Sequence, residues 1–217
     1  MKIAVCLSGS IGNFSKNIDS LVSELINPLE RIGHVDIFMS VWDNVDYNLL
    51  KHLPISPSLS IKKFDREHFI QKYTRDEFDG DILLKRMILS DHVQTWYQIS
   101  ESYKMIHQPE NYDLILCARP NILYYDSIKL KDILTSFTDS SVIYMPEPDL
   151  FFSHQGYNSD LAFGSPEAMN YYCSLFDNIC TGENEEDFEE VGEDYLATHM
   201  KNNPNIEVRH TELQYMI

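Results

Sequence analysis

The sequence predicts an α/β fold: a single Rossmann-like domain with a mixed, mostly parallel sheet flanked by helices. Three observations predict it. A strand, a loop of small residues, a helix and a second strand follow one another over residues 3–41, which is the opening unit of a doubly wound sheet. Residues 82–107 have the apolar spacing of one long helix. Residues 114–118 form a continuous apolar run, typical of a strand buried on both faces.

Size and charge limit the function. The chain has 217 residues, which fits one domain, and 43% of them are hydrophobic, enough for a real core. The formal charge of −17 argues against a nucleic-acid binder, which needs a basic surface. An anionic ligand would therefore have to meet local positive charge, from a helix N-terminus, a few Arg or Lys side chains, or a metal ion.

The cysteines and the apolar runs indicate the compartment. Cys6, Cys117, Cys173 and Cys180 form no CxxC pair and no disulfide-dense spacing, which fits a reducing, cytosolic setting. The apolar run at the amino terminus is too short for a signal peptide. No stretch approaches the length of a membrane span. We therefore expect a cytoplasmic protein without a membrane span, and the sequence sets no oligomeric state.

The first helix is predicted from Ser15, as its N-cap, to about residue 32, with Gly33 as its C-cap. Pro28 is expected to kink or shorten its end, because proline cannot donate a helical hydrogen bond. The apolar stripe that should face the sheet has helical spacing and comprises Ile18, Leu21, Val22, Leu25, Ile26 and Leu29.

The long helix over residues 82–107 would measure roughly 39 Å at the rise of an α-helix, long enough to cross a whole sheet. Asp81 is its expected N-cap, and Pro109 follows its end. Its buried face is predicted from six apolar residues spaced three and four apart, namely Leu89, Val93, Trp96, Ile99, Tyr103 and Ile106.

The other elements follow from shorter apolar runs bounded by Pro, Gly and polar residues. Ser165 as N-cap and Pro166 at the first helical position form a helix start. The predicted strands cover 3–7, 35–41, 59–64, 114–118, 122–125, 141–145, 161–164 and 206–210, and the remaining helices cover 69–73, 128–137, 166–179 and 195–201.

Arg119 and Asn121 are the sharpest functional signal. They follow the buried strand 114–118, and Pro120 between them ends its ladder because it has no N–H to donate. Ligands of open α/β sheets bind at the carboxyl ends of the strands. Arg119 can pair with a phosphate or carboxylate, and Asn121 can ligate a metal or bond a sugar. The alternative is a structural arginine that closes a loop.

Two further groups of candidate residues lie at the ends of predicted strands. Ser8, Gly9 and Ser10 follow the first strand, where small residues allow the backbone to approach a ligand closely. Trp42 and Asp43 end the second strand, where an aromatic ring can stack on a base and a carboxylate can bond a ribose. The alternatives are an ordinary βα turn and a half-buried tryptophan followed by a helix-capping aspartate.

Charged residues around the start of the long helix give weaker signals. Asp79 and Asp81 form a D-x-D pair, and two such carboxylates can share a divalent cation. In an acidic chain the simpler account is surface acids, with Asp81 capping the helix. Lys85 and Arg86 lie in the first helical turn, where cations oppose the helix dipole. They either meet an anion there or are placed by chance.

The second half of the chain adds three candidates. Asp160 precedes the predicted strand 161–164, and Asp194 precedes the last helix; either could act as a general base if partly buried. His210 lies in the last predicted strand. A lone histidine is more often structural, and His210 becomes a candidate metal ligand only if its strand brings it near Asn121.

The order of these segments resembles small glycosyltransferases of the GT-A fold, closest to the chlorella-virus-encoded enzymes that build capsid glycans. The likeness is carried by KIAVCLSGSIGNF, DIFMSVWD, SDHVQTWYQISES, YDLILCARPNILYYD, SDLAFGSPEAM and GEDYLATHM, which are spread in this order between residues 2 and 200. It implies a nucleotide-sugar donor, most often a UDP-sugar, a glycan acceptor, and a Mn²⁺ or Mg²⁺ ion bridging the donor diphosphate.

The resemblance also implies roles for single residues. Asn121 stands where the family has its metal-binding aspartate, so the motif is degenerate, and Asp79, Asp81 or His210 are the candidates to complete a metal site. Asp194, in a Gly-Glu-Asp segment like that of inverting members, would deprotonate the acceptor, and Asp160 would face the donor sugar.

In the same reading the donor is held at the ends of the first two strands. Ser8 to Ser10, Trp42 and Asp43 would hold the nucleoside, and Lys85, Arg86 and Arg119 would meet the diphosphate. Two other functions stay open at this stage: another α/β nucleotide enzyme such as a nucleotidyltransferase, and a non-catalytic module that binds carbohydrate or protein.

Overall fold

The structure is a computed structural model, and it describes residues 1–9, 13–42, 47–62, 69, 91–136, 139–147, 160–181, 193–213 and 215–216. The strands are β1 (Lys2–Gly9), β2 (His34–Trp42), β3 (Ser58–Lys62), β4 (Leu114–Ala118), β5 (Leu123–Tyr124), β6 (Val142–Pro146), β7 (Leu161–Gly164), β8 (Glu207–Thr211) and β9 (Tyr215–Met216). The helices are α1 (Phe14–Ser20), α2 (Asn27–Glu30), α3 (Tyr47–Leu50), α4 (Asp91–Lys104), α5 (Leu130–Ser136), α6 (Pro166–Cys173), α7 (Leu175–Thr181) and α8 (Glu193–Lys201), with a π-helical stretch over Leu21–Ile26 and a 3₁₀ turn over Pro109–Asn111.

Seven strands form one mixed sheet in the order β3-β2-β1-β4-β7-β6-β8. Neighbours β3, β2, β1 and β4 are parallel, as are β6 and β8, whereas β7 runs antiparallel to both of its neighbours. The fold class predicted from the sequence is confirmed: a mostly parallel sheet flanked by helices. One edge therefore carries the carboxyl ends of the six co-directional strands together with the beginning of β7.

The sheet separates two apolar cores. Along β1, Ile3, Val5 and Leu7 face one core, which includes residues of α1 and the π-helical stretch. Ala4 and Cys6 face the other core, which includes residues of α4, α6 and α7. All five residues of β4 are buried, which confirms the prediction from its continuous apolar run.

The first helix differs from its prediction in its start and its middle. It begins at Phe14 after Asn13, which makes no side-chain cap hydrogen bond, so the prediction of Ser15 as N-cap was wrong. Pro28 has no N–H, so the carbonyl of Glu24 lacks its usual helical partner. The backbone N–H of Ile128 donates to that carbonyl instead, at 3.0 Å. The helix continues through Pro28 to Glu30, and the hydrogen bond from Ile128 joins it to the chain after β5.

Gly33 is not a left-handed C-cap; the residue that caps α2 is Arg31, in a right-handed conformation. A Cβ at Gly33 would lie 2.7 Å from the carbonyl oxygen of Met1. His34 donates from its backbone N–H to that same oxygen, at 2.8 Å. Glycine is needed there because the amino terminus passes directly over it.

Other predicted elements are shifted or divided. The long helix is described from Asp91 to Lys104, and residues 82–90 lie outside the described residues. The helix predicted over 166–179 is divided at Ser174 into α6 and α7. Residues 123–124 do not extend the main sheet: β5 pairs with β9 in a separate two-stranded ladder. None of the helices among the described residues is long and apolar enough to cross a membrane.

Candidate functional site

The carboxyl edge of the sheet brings Arg119 and Asp160 together. Arg119 follows β4, and Asp160 precedes β7. Because β7 runs antiparallel to β4, its beginning lies beside the end of β4, with Ala118 opposite Leu161. The backbone N–H of Arg119 continues the ladder by donating to the carbonyl oxygen of Asp160, at 3.0 Å.

Their side chains form an ion pair. Arg119 Nη1 lies 3.0 Å from Asp160 Oδ1, and the two side chains are only 21% and 9% exposed. The hydroxyl of Tyr215 donates to the other carboxylate oxygen, Oδ2, at 3.1 Å. Both oxygens of Asp160 therefore have a donor, and the plane of the carboxylate is fixed.

Tyr124 contacts the Arg119 partner of the ion pair. Its hydroxyl donates to the carbonyl oxygen of Arg119 at 3.3 Å, and its ring centroid lies 6.4 Å from that of Tyr215. Burial raises the pKa of Tyr124 well above its ordinary value; the negative charge of Asp160 raises it further, and the Arg119 cation opposes this. Tyr124 therefore stays a neutral hydrogen-bond donor at any physiological pH.

The turn after β4 is held by helix α1. Asn17 Nδ2 donates to the carbonyl oxygen of Asn121 at 2.6 Å, and Ser20 Oγ accepts from the backbone N–H of Tyr124 at 3.2 Å. Both contacts join residues 104 positions apart in the sequence. They replace the sheet hydrogen bonds that end at Pro120.

Three buried polar atoms near this edge have no hydrogen-bond partner within the part of the chain that the structure describes: Ser8 Oγ, Arg119 Nε and Asn121 Oδ1. A buried polar group without a partner costs free energy, roughly 1–3 kcal/mol. The three atoms offer a hydroxyl, a cationic N–H donor and a neutral acceptor. A polar ligand with both donors and acceptors would satisfy them.

Gly9 leaves room next to the arginine. It has φ +108°, a conformation that side-chain-bearing residues rarely adopt, and a Cβ there would lie 3.8 Å from Arg119 Nε. Its predicted role, close approach of the backbone to a ligand, stays a prediction.

Asn121 offers a ligand for a divalent cation at this edge. Asn121 is 8% exposed, and its unpartnered Oδ1 is a neutral oxygen of the kind that Mn²⁺ and Mg²⁺ accept. Elsewhere in the described ranges there is no cluster of three or more His, Cys, Asp or Glu side chains able to hold a metal. Asp79 and Asp81, predicted to complete such a site, lie outside the described residues.

Trp42 is half-buried at the end of β2. Its ring stacks on Tyr97 with centroids 5.7 Å apart and planes 13° apart, and Phe69 meets it edge-on at 6.5 Å. One face of the indole is therefore taken by protein. Stacking on a base, which the sequence predicts, would have to use the opposite face.

His210 is not brought together with Asn121. It lies on the edge strand β8, three strands from β4 in the sheet order, which corresponds to about 14 Å at the usual strand spacing. Its side chain is exposed, and Nδ1 lies 3.4 Å from the carbonyl oxygen of Pro146.

The remaining predicted site residues can be placed only in part. Asp194 lies in the first turn of α8, and its side chain is outside what the structure describes. Ser10, Asp43, Lys85 and Arg86 lie outside the described residues altogether.

Sequence reasoning missed three residues of this edge: Asn17, Tyr124 and Tyr215. Asn17 was a polar residue among helical ones, and it is 9% exposed. A buried asparagine needs a partner, and Asn17 lies three residues after Phe14 and four before Leu21, so its helical spacing was a usable signal. Nothing in the local sequence of Tyr215 indicates its contact with Asp160.

Solved structures with a similar fold were found by comparison. An active-site mutant of LgtC matches with a TM-score of 0.52 at 11% sequence identity, over 96% of this chain and 72% of that chain; another structure names LgtC a galactosyltransferase. The apo form of the glycosyltransferase GlyE from Streptococcus pneumoniae TIGR4 matches with a TM-score of 0.50 at 12% identity, over 97% of this chain and 45% of that one. Mouse xyloside xylosyltransferase 1 has a TM-score of 0.49 at 10% identity, over 97% and 85% of the two chains.

The chain has the fold of LgtC and GlyE. The GT-A fold expected from the sequence is thereby confirmed, on the two matches with a TM-score of at least 0.50. No protein-family model and no curated protein matches the sequence. Structural matches at 11% and 12% sequence identity establish the fold alone, so the activity has to be argued from the site.

Proposed function

We propose that this protein is a glycosyltransferase that moves a hexose from a UDP-sugar, such as UDP-glucose, to a hydroxyl group of a glycan acceptor. The observation that carries the proposal is the partly buried Arg119–Asp160 ion pair at the carboxyl edge of the sheet, with polar atoms beside it that have no partner among the described residues. A nucleotide sugar has the matching chemistry, because it combines an anionic diphosphate with a hydroxyl-rich ring.

Arg119 is the group proposed to meet the diphosphate. Its Nη1 is engaged by Asp160, whereas its buried Nε–H has no partner among the described residues and can donate to a phosphate oxygen. In a chain with a formal charge of −17, such a local cation is needed to hold an anionic donor. Ser8 and Gly9, at the end of the neighbouring strand β1, would line the same ligand.

Asp160 is proposed to bind hydroxyl groups of the donor sugar through its carboxylate. Its carboxylate is fixed through both oxygens and is 6% exposed as a residue. A carboxylate oxygen can accept more than one hydrogen bond, so hydroxyl groups of the hexose would donate to these two oxygens. This arrangement suits orientation of the donor sugar.

Asp194 is proposed as the general base, in an inverting reaction. The acceptor oxygen forms a bond to the anomeric carbon while the bond from that carbon to the diphosphate oxygen breaks. The hydroxyl proton passes to the carboxylate of Asp194, and UDP leaves with the electron pair of the broken bond. Arg119 stabilises the negative charge that grows on the leaving group.

A Mn²⁺ or Mg²⁺ ion belongs to the proposal, with Asn121 and the aspartates Asp79 and Asp81 as its holders. When bound, it would supply further positive charge to the diphosphate. The likeness to chlorella-virus enzymes, and with it a viral origin and action in the host cytosol, also remains part of the proposal.

Calorimetry and a turnover assay test the function together. The purified protein is titrated with UDP and with UDP-glucose in the presence of Mn²⁺, and a panel of nucleotide sugars is screened for hydrolysis and for thermal stabilisation. We expect binding of UDP and slow hydrolysis of one UDP-sugar. Release of pyrophosphate from nucleoside triphosphates would indicate a nucleotidyltransferase, and binding of glycans without any nucleotide would indicate a non-catalytic module; either result overturns the proposal.

A further inference from the structure

The chain returns to the candidate site at its carboxyl-terminal end. Strand β9 pairs antiparallel with β5, with Leu123 opposite Met216 and Tyr124 opposite Tyr215. Strand β5 begins two residues after Asn121, so this short ladder is tied to the turn that carries Arg119 and Asn121. Leu213, just before β9, is 5% exposed and belongs to the core on the α1 side of the sheet, which anchors the segment.

Through this ladder two tyrosines bracket the ion pair. Tyr124 donates to the backbone carbonyl of Arg119, and Tyr215 donates to the carboxylate of Asp160. Their rings lie against each other with planes 47° apart. Each tyrosine therefore holds one partner of the ion pair in place. The contact between the two rings in turn holds the two tyrosines against each other.

We propose that Tyr215 is a positioning residue for the donor sugar: its hydroxyl fixes the orientation of the Asp160 carboxylate. This inference rests on the proposed function. Arg119 Nη1 holds Oδ1, and a carboxylate that is held through one oxygen can still turn about its Cβ–Cγ bond. The hydrogen bond from the Tyr215 hydroxyl to Oδ2 stops that rotation. It thereby fixes the directions from which the two carboxylate oxygens can accept hydrogen bonds from a sugar.

The Tyr215 hydroxyl should matter for binding of the sugar and not for binding of the nucleotide. Tyr215 touches Asp160, and the groups proposed to bind UDP are Ser8, Gly9 and Arg119. Loss of the Tyr215 hydroxyl should therefore weaken binding of an intact nucleotide sugar and leave binding of UDP unchanged. A residue that only stabilised the fold would affect both ligands alike.

The test compares Tyr215→Phe with a matched control, Tyr112→Phe. The hydroxyl of Tyr112 also donates to an aspartate, Asp36 Oδ2 at 2.8 Å, but at the start of β4 on the opposite edge of the sheet. We expect Tyr215→Phe to raise the Kd for UDP-glucose about tenfold, the scale of one hydrogen bond to a charged group. The Kd for UDP should stay within about twofold of wild type, and Tyr112→Phe should change neither value.

A double-mutant cycle gives an independent readout. If Tyr215 acts through Asp160, Tyr215→Phe has no further effect on UDP-glucose binding in an Asp160→Ala background, which lacks any side-chain acceptor for the Tyr215 hydroxyl. Equal losses for UDP and UDP-glucose, an unchanged Kd for UDP-glucose in Tyr215→Phe, or additive losses in the cycle would each overturn the inference. Failure of wild-type protein to bind any nucleotide sugar would instead overturn the proposed function, so the two failures are distinguishable.

Discussion

Arg119 and Asp160 are joined twice, once through the backbone and once through their side chains, and both contacts measure 3.0 Å. The backbone contact extends the β4–β7 ladder by one residue, so the relative position of the two side chains is set by the sheet itself. A site built on strand ends in this way is more rigid than one built on free loops. The charge pair at the carboxyl edge is therefore held in place by the sheet.

Arg119→Lys tests what the guanidinium does beyond its charge. Lysine keeps the positive charge but loses the planar fork and the Nε–H donor. We expect the affinity for UDP to fall by about tenfold or more, measured by calorimetry, with little change in thermal stability. The matched control is Arg209→Lys on the edge strand β8, where Arg209 pairs with the exposed Glu207. Equal affinities of wild type and Arg119→Lys would remove Arg119 from the donor site.

Gly9→Ala tests the conformation at the end of β1. At φ +108° an alanine is strained regardless of the space around it, and its methyl group would also face Arg119 Nε. We expect a loss of unfolding free energy of about 1–2 kcal/mol in urea, together with weaker binding of UDP. A variant with wild-type stability would show that the backbone of Gly9 adjusts without cost, and would contradict the expectation.

His199 makes stability depend on pH. It is 1% exposed, its Nε2 lies 2.8 Å from the carbonyl oxygen of Tyr171, and its ring stacks on that of Tyr171. Burial lowers the pKa of His199, and the contact with the Tyr171 carbonyl partly opposes this. The unfolded chain therefore binds a proton at a higher pH than the folded chain, and stability is lost as the pH falls below about 6.5.

The measurement is urea unfolding at pH 7.5 and pH 5.5 for wild type, His199→Gln and the exposed-histidine control His107→Gln. One such group changes the free energy of unfolding by at most about 1.4 kcal/mol per pH unit. We expect the drop between the two pH values to be smaller in His199→Gln than in wild type and unchanged in His107→Gln. Equal drops in all three proteins would mean that His199 titrates alike in the folded and unfolded chains.

Much of the fold could be predicted because the signals are local. The bounds of Leu114–Ala118 and Leu161–Gly164 match their apolar runs residue for residue. Ser165 caps α6 as predicted, with Oγ accepting from the backbone N–H of Ala168 at 3.1 Å. Cap chemistry and apolar runs act within a few residues, so they can be read from the sequence alone.

The only residues of the site that could be predicted from the sequence are those that stand directly before or after a predicted strand. Arg119 was found because it follows a buried strand, and its partner Asp160 was singled out separately. That they form a pair depends on β7 running antiparallel, a property that no local pattern of residues 161–164 shows. The contact between Tyr215 and Asp160 spans 55 positions and rests on pairing of two-residue strands, which are too short to give a periodic signal.

Asn121→Asp tests the metal. In the wild type, the buried Oδ1 of Asn121 is a neutral acceptor that has no partner among the described residues. A carboxylate in its place attracts a divalent cation far more strongly, because Mn²⁺ and Mg²⁺ prefer charged oxygen ligands. We expect the Mn²⁺ concentration at half-maximal UDP binding to fall about tenfold or more in Asn121→Asp.

The paired control for that substitution is Asn17→Asp, which changes the charge by the same amount on the neighbouring helix. Asn17 binds the turn through its Nδ2, which donates to the carbonyl oxygen of Asn121, so it is not proposed as a ligand. In Asn17→Asp we expect a lower melting temperature and no tighter Mn²⁺ dependence. If EDTA leaves UDP binding of the wild type intact and Asn121→Asp does not respond to Mn²⁺, the metal has no place at this strand end. Arg119 would then be the principal cation that the described residues offer to the diphosphate.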